Sequence, residues 1–213
     1  MSEIMDHEGL IRSLAADLRP VRRLLPPWLR ALCWIGVVAA LGAALASIAN
    51  LGALWQRLAA VPDMWLAVLA SCLTTVLAAI AAFQISLPDR RAVWALLPAP
   101  ALLLWIGASG LGCLRNWTVP STHEADARSC LVFIVGVSLP LSALLLAMLR
   151  RACPLRPNRT AILGGLAAAS ASATLLNLFH PYDAAATDLA VHALAVLIVI
   201  LGNRAIGARV FGT

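Results

Sequence analysis

His180, Asp183, Asp188 and His192, within FHPYDAAATDLAVH, are the side chains of this sequence best suited to chemistry. Asp188 and His192 stand four residues apart and so share one face if the segment is helical. Cys130 lies upstream, at the start of an apolar block that chain order can bring alongside. Imidazole, thiolate and carboxylate together suit a soft or borderline divalent metal, with Cys130, His180 and His192 as the ligand candidates. A plainer alternative stands beside it: Asp183 and Asp188 are natural turn and N-cap residues.

Cys113 and Cys130 make a second candidate. They close one apolar block and open the next, joined by a 16-residue connection. On an oxidising side of a membrane they could bridge or act as a thiol switch; two separately packed thiols is the other reading. Cys33 and Cys72 have apolar neighbours and read as small buried hydrophobes. Cys153 reads as an unpaired thiol in a reducing compartment. The sequence contains no G-x-S-x-G, H-E-x-x-H or C-x-x-C. With no nucleophile set beside a base, no enzyme activity and no cofactor are expected.

These residues are carried by a very apolar chain. Of its 213 residues 62% are hydrophobic and 12% charged, against roughly 25% charged in a soluble domain. A bilayer solvates that much apolar surface and a soluble core does not. Six apolar blocks of near-spanning length follow one another: 29–49, 64–85, 92–112, 130–149, 161–179 and 189–206. Each is close to the roughly 20 residues that a helix needs to cross. Pro98 and Pro100 fall in the third block and Pro140 in the fourth, where neighbouring helices can cover a kink. Stretches such as GVVAALGAALAS (36–47) and GGLAAASASA (164–173) let helices approach closely, so a compact bundle is expected. The fold class is therefore an all-α integral membrane protein with six transmembrane helices.

All 16 basic residues are arginine. Arg12, Arg19, Arg22, Arg23 and Arg30 precede or open the first block. Arg90 and Arg91, then Arg150, Arg151, Arg156 and Arg159, and finally Arg204 and Arg209 fall on that same side. Only Arg57, Arg115 and Arg128 lie opposite. The positive-inside rule puts both termini in the cytoplasm. Arginines dispersed around apolar blocks argue against direct nucleic-acid binding despite the net charge of +6. Trp28, Trp34 and Trp94 are expected at the inner interface, and Trp55, Trp65 and Trp117 at the outer one.

Ahead of the first block, EGLIRSLAADLRPVRRLLPP (8–27) reads as a short amphipathic helix. Leu10, Ile11, Leu14, Leu18, Val21 and Leu25 form its apolar stripe, Asp6 is a candidate N-cap, and Pro20 should end or bend it at Arg19. So short a stripe must dock on the bundle, lie among headgroups or fill a partner's groove. Two units follow: a cytoplasmic segment, 1–27, and a six-helix membrane domain, 28–213.

LIRSLAADLRPVRRLLPPWLRALCW (10–34), AAFQISLPDRRAVWALLP (81–98), SCLVFIVGVSLPLSALLLAMLRRACPLRP (129–157) and GGLAAASASATLLNLFHPYD with AVH (164–192) resemble the NrsF-type anti-sigma factors, negative regulators of sigma F. The similarity runs in order over nearly the whole chain. It implies a multi-pass bacterial inner-membrane protein that holds an extracytoplasmic-function sigma factor inactive and releases it on a stress signal. Carried over, the sigma-contacting candidates are Leu10, Ile11, Leu14, Leu18, Pro20 and Val21, with Arg22 and Arg23 offering charge pairs. Family members often pair a cysteine opening the fourth span with another near the end of the fifth. Cys130 fills the first place, whereas Leu178-Phe179-His180-Pro181 stands at the second. The signal-sensing candidates are then Cys113, Cys130, His180, Asp183, Asp188 and His192, in a chain whose partners are a sigma factor and the lipid bilayer, with a homodimer left open. A small transporter or channel is the alternative from another class, with Thr74, Thr75 and Gln84 as its nearest mid-membrane polar groups.

Overall fold

The computed structural model describes residues 7–16, 23–60, 62–115, 124–179 and 186–211; for 62–63, 112–115, 124–128 and 186–188 only the backbone is considered. The described chain is helical throughout: α1 (His7–Ala16), α2 (Pro27–Ala46), α3 (Leu51–Ala60), α4 (Pro62–Ile85), a 3-10 turn (Ala92–Leu96), α5 (Ala99–Arg115), α6 (Glu124–Arg150), α7 (Pro157–Leu176) and α8 (Ala186–Phe211). Six segments are long and apolar enough to cross a membrane: Pro27–Ala46, Met64–Ile85, Ala92–Leu111, Ser129–Arg150, Pro157–Leu176 and Leu189–Phe211. The six-span, all-α expectation holds.

α7 is the axis of the bundle. Its sequence, PNRTAILGGLAAASASATLL, is mostly alanine, glycine and serine, and nearly every residue from Thr160 to Leu176 is buried. Small side chains let three neighbours, α4, α6 and α8, close on it at once. The closest approach is to α8. A Cβ on Gly165 would stand 2.9 Å from the Ile200 Cα, and one on Gly207 would stand 2.5 Å from the Ala161 Cβ. α2 packs chiefly on α4, and α5 on α4 and α8, so both are peripheral. Large side chains fill the wider gaps: Trp34, Phe83, Ile85, Leu145 and Leu149 form one core with the α7 alanines.

Several local expectations are corrected. The first connection, for which the sequence named no element, holds α3. Its Asn50 side chain accepts a 3.0 Å hydrogen bond from the Ala53 N–H, as an N-terminal cap does. The third span is not one helix kinked at its prolines. It opens with the 3-10 turn, and Pro98 and Pro100 sit before and within the first turn of α5, where a missing N–H breaks no helical bond. Pro140 does lie inside α6. Trp34 is not an interfacial belt residue: it is fully buried, and its indole N–H donates to the Leu141 carbonyl at 3.1 Å. Cys33 and Cys72 are exposed rather than buried, and the Cys72 thiol stands beside Thr174 of α7.

Candidate functional site

The amino-terminal helix forms where expected. Glu8 lies in its first turn, where a negative charge suits the helix dipole. Leu10, Ile11 and Leu14 fall on one side at helical spacing and are 43%, 63% and 62% exposed. α1 buries no residue against the bundle, so the apolar stripe has no core of its own. Leu18, Pro20, Val21 and Arg22 lie outside the described residues. Arg23 is exposed in the short link, 23–26, that joins this region to α2.

At the far end of the bundle lies Cys130, one of the candidate sensing residues. Cys130 on α6 is fully buried and clusters with Ile134, with Leu176 of α7 and with Ala195 of α8. Leu131 and Phe133 pack on this cluster. The Phe133 ring in turn meets Phe179, just past α7, at a centroid separation of 6.0 Å. His192 is half-buried on α8, three residues before Ala195. Cys130 thus packs against the end of α7 and the first half of α8 through apolar residues. Cys113 lies in the last turn of α5 and Asp188 in the first turn of α8, as backbone positions; His180 and Asp183 lie outside the described residues. Among the described residues no three histidine, cysteine or acidic side chains gather as a metal site.

The interior hydroxyls are spent on helix packing. Thr174 on α7 donates to the Ser71 hydroxyl of α4 at 2.9 Å. One turn away, the Thr75 and Ser170 hydroxyl oxygens are 3.0 Å apart. Ser138 on α6 donates to Ser172 at 2.9 Å, and the Asn203 amide on α8 donates to Ser142 of α6 at 2.8 Å. Thr74, also named as a transport candidate, donates to the Ala70 carbonyl of its own helix at 2.8 Å. Hydroxyls so used join α4, α6, α7 and α8, whereas Oε1 of Gln84, the remaining transport candidate, and Oδ1 of Asn203 are buried without a partner.

Arg30 is a buried feature that the sequence did not single out. It counted as one more flanking positive charge, yet it is 5% exposed. Its Nη2 donates to the Met148 carbonyl in the last turn of α6, and its Cζ lies 4.8 Å from the centroid of the Phe83 ring. Its Nη1 has no partner. A carbonyl in a final turn has no intrahelical donor of its own, so Arg30 caps α6 from another helix. The signal available in the sequence is that Arg30 and Trp34 are four apart on one face, and both donate to α6. Nearby, Arg156 Nη1 donates to the Arg90 carbonyl at 2.9 Å, tying two connections together at this end.

A family model described as negative regulator of sigma F, NrsF, matches residues 14–212. No curated protein and no solved structure matches the chain. The match takes in all six spans and the second half of the stretch that leads into them. The chain belongs to the NrsF family and is a negative regulator of a sigma factor.

Proposed function

We propose that the protein is a membrane-bound anti-sigma factor of the bacterial inner membrane that sequesters an extracytoplasmic-function sigma factor. Residues 1–27 are the binding segment, and 28–213 are anchor and sensor. The observation that carries this reading is the exposed stripe of Leu10, Ile11 and Leu14, left without a core in a chain of this family. An apolar helix face of that kind is the form in which a short helix enters a groove on a partner. Leu18, Pro20 and Val21 extend the stripe, and Arg22 and Arg23 supply charge pairs at its base.

The gathering of arginines at the end where α2 and α7 begin and α4, α6 and α8 finish supports a cytoplasmic location for that end, and for both termini. The signal enters at the opposite end. Cys130, buried where α6, α7 and α8 meet, is placed so that oxidation or a ligand there repacks three helices together. Cys113, His180, Asp183, Asp188 and His192 are the other members of that sensing region, with Cys130, His180 and His192 the ones to hold a metal if the signal is one. Repacking of α6 reaches α2 through Arg30 and Trp34, and α2 carries the tail.

The test is co-purification of a co-expressed sigma factor with the membrane protein. The full chain retains it and a chain lacking residues 1–27 does not. Retention after the deletion overturns the role of the tail. Failure of the full chain to hold any sigma factor overturns direct sequestration.

A further inference from the structure

Among the described residues Arg30 is the only buried charge. One half of its guanidinium is engaged by the Met148 carbonyl and the Phe83 ring. The other half, Nη1, has nothing. No carboxylate among the described residues pairs with it, and the exposed Arg151 follows three residues after the Met148 whose carbonyl Arg30 holds, so the charge nearest along that chain end is a like one. A cation withdrawn from water beside a second cation is strongly disfavoured unless an anion joins them.

The surroundings point to which anion. Arg30 lies in the first turn of a spanning helix, two residues from the exposed Trp28, at the level where a bilayer keeps its phosphates. That turn starts at Pro26-Pro27 and has no side-chain cap. The Arg30 amide bonds to the Pro26 carbonyl, whereas the amides of Trp28 and Leu29 precede the first helical bond and are the orphan donors of the positive end of the helix. A guanidinium matches phosphate oxygens two at a time.

We propose that Arg30, together with Arg151 and the open first turn of α2, binds the phosphate of an anionic phospholipid headgroup. Nη1 itself is covered, so the phosphate reaches it through a swing of the long side chain, which arginine makes readily at a membrane boundary. Two arginines against one phosphate favour a lipid with net negative charge, such as phosphatidylglycerol, over zwitterionic phosphatidylcholine. The site stands at the base of the tail but does not depend on what the tail binds.

Native mass spectrometry of the full chain, offered phosphatidylglycerol and phosphatidylcholine with the same acyl chains, tests this. The wild type retains phosphatidylglycerol about fivefold better. Arg30→Gln and Arg151→Glu reduce that preference to near parity, and Arg209→Glu, at the same end but on α8, leaves it intact. An unchanged preference in the first two variants, or equal loss in Arg209→Glu, overturns the site in favour of a diffuse basic face. Millimolar inorganic phosphate leaves the preference standing; if it abolishes the preference, the ligand is free phosphate and the lipid assignment fails. Should Arg30→Gln not fold, Arg151→Glu decides the outcome, with Arg30→Lys keeping the charge while losing the two-point match.

Discussion

At Gly207 the backbone of α8 comes so near α7 that an added methyl would stand 2.5 Å from the Ala161 Cβ, an atom fixed to its own backbone. Neither partner can turn aside, so Gly207→Val must push two helices apart, at a cost of about 1–3 kcal/mol. Gly36 on α2 has nothing within 4 Å of the same construction. There Gly36→Ala should be neutral or stabilise by up to about 1 kcal/mol, through helix propensity alone. Thermal unfolding in detergent, followed by circular dichroism, separates the two; equal shifts would mean that α7 and α8 do not meet as described. The small-residue run GGLAAASASA announced close packing in the sequence, but composition does not say which glycine faces which backbone. Arg30 shows the same gap with a larger consequence. Counting flanking arginines gives the orientation of a span, whereas burial of one of them depends on where α6 happens to end.

At the scale of elements, hydropathy gave the six spans because each needs a run of apolar residues near the thickness of the bilayer. It did not give what begins and ends them. α3 was hidden since LGALWQRLAA is only ten residues, with Gln56 and Arg57 near its end, too short to register as a span. Trp55 on α3 and Trp65 on α4 pack edge to face at 6.3 Å, an aromatic pair that holds this short helix to the start of the next span. The prolines of the third block were legible as breakers, but whether they kink a helix or start one is decided by the 3-10 turn upstream. α6 finishes in another way. Past Arg150 the chain turns through Cys153, which has φ of 46° and is followed by Pro154. A non-glycine residue in that region is strained, and glycine is the usual solution after a helix. Cys153→Gly should therefore raise stability by about 1 kcal/mol, read as a higher unfolding temperature in detergent. A lower one would mean that the thiol side chain contributes more than the backbone strain costs.

For the whole molecule, the proposed division between a membrane bundle and a sigma-binding tail makes a demand on two measurements at once. α1 buries no residue, and its Leu10, Ile11 and Leu14 face outward. A chain carrying Leu10→Asp, Ile11→Asp and Leu14→Asp together should unfold within about 0.5 kcal/mol of the wild type, as surface changes do. Its affinity for the sigma factor should fall at least tenfold, since fully burying even one such side chain is worth about 1.5–3 kcal/mol. The bundle behaves in the opposite way: Gly207→Val lowers the unfolding temperature while a tail with its stripe intact keeps its affinity. If the triple change lowers stability and affinity in parallel, the stripe packs on the bundle or the bilayer rather than in a partner's groove. If neither moves, α1 is a spacer and recognition begins beyond it, at Leu18 to Arg23.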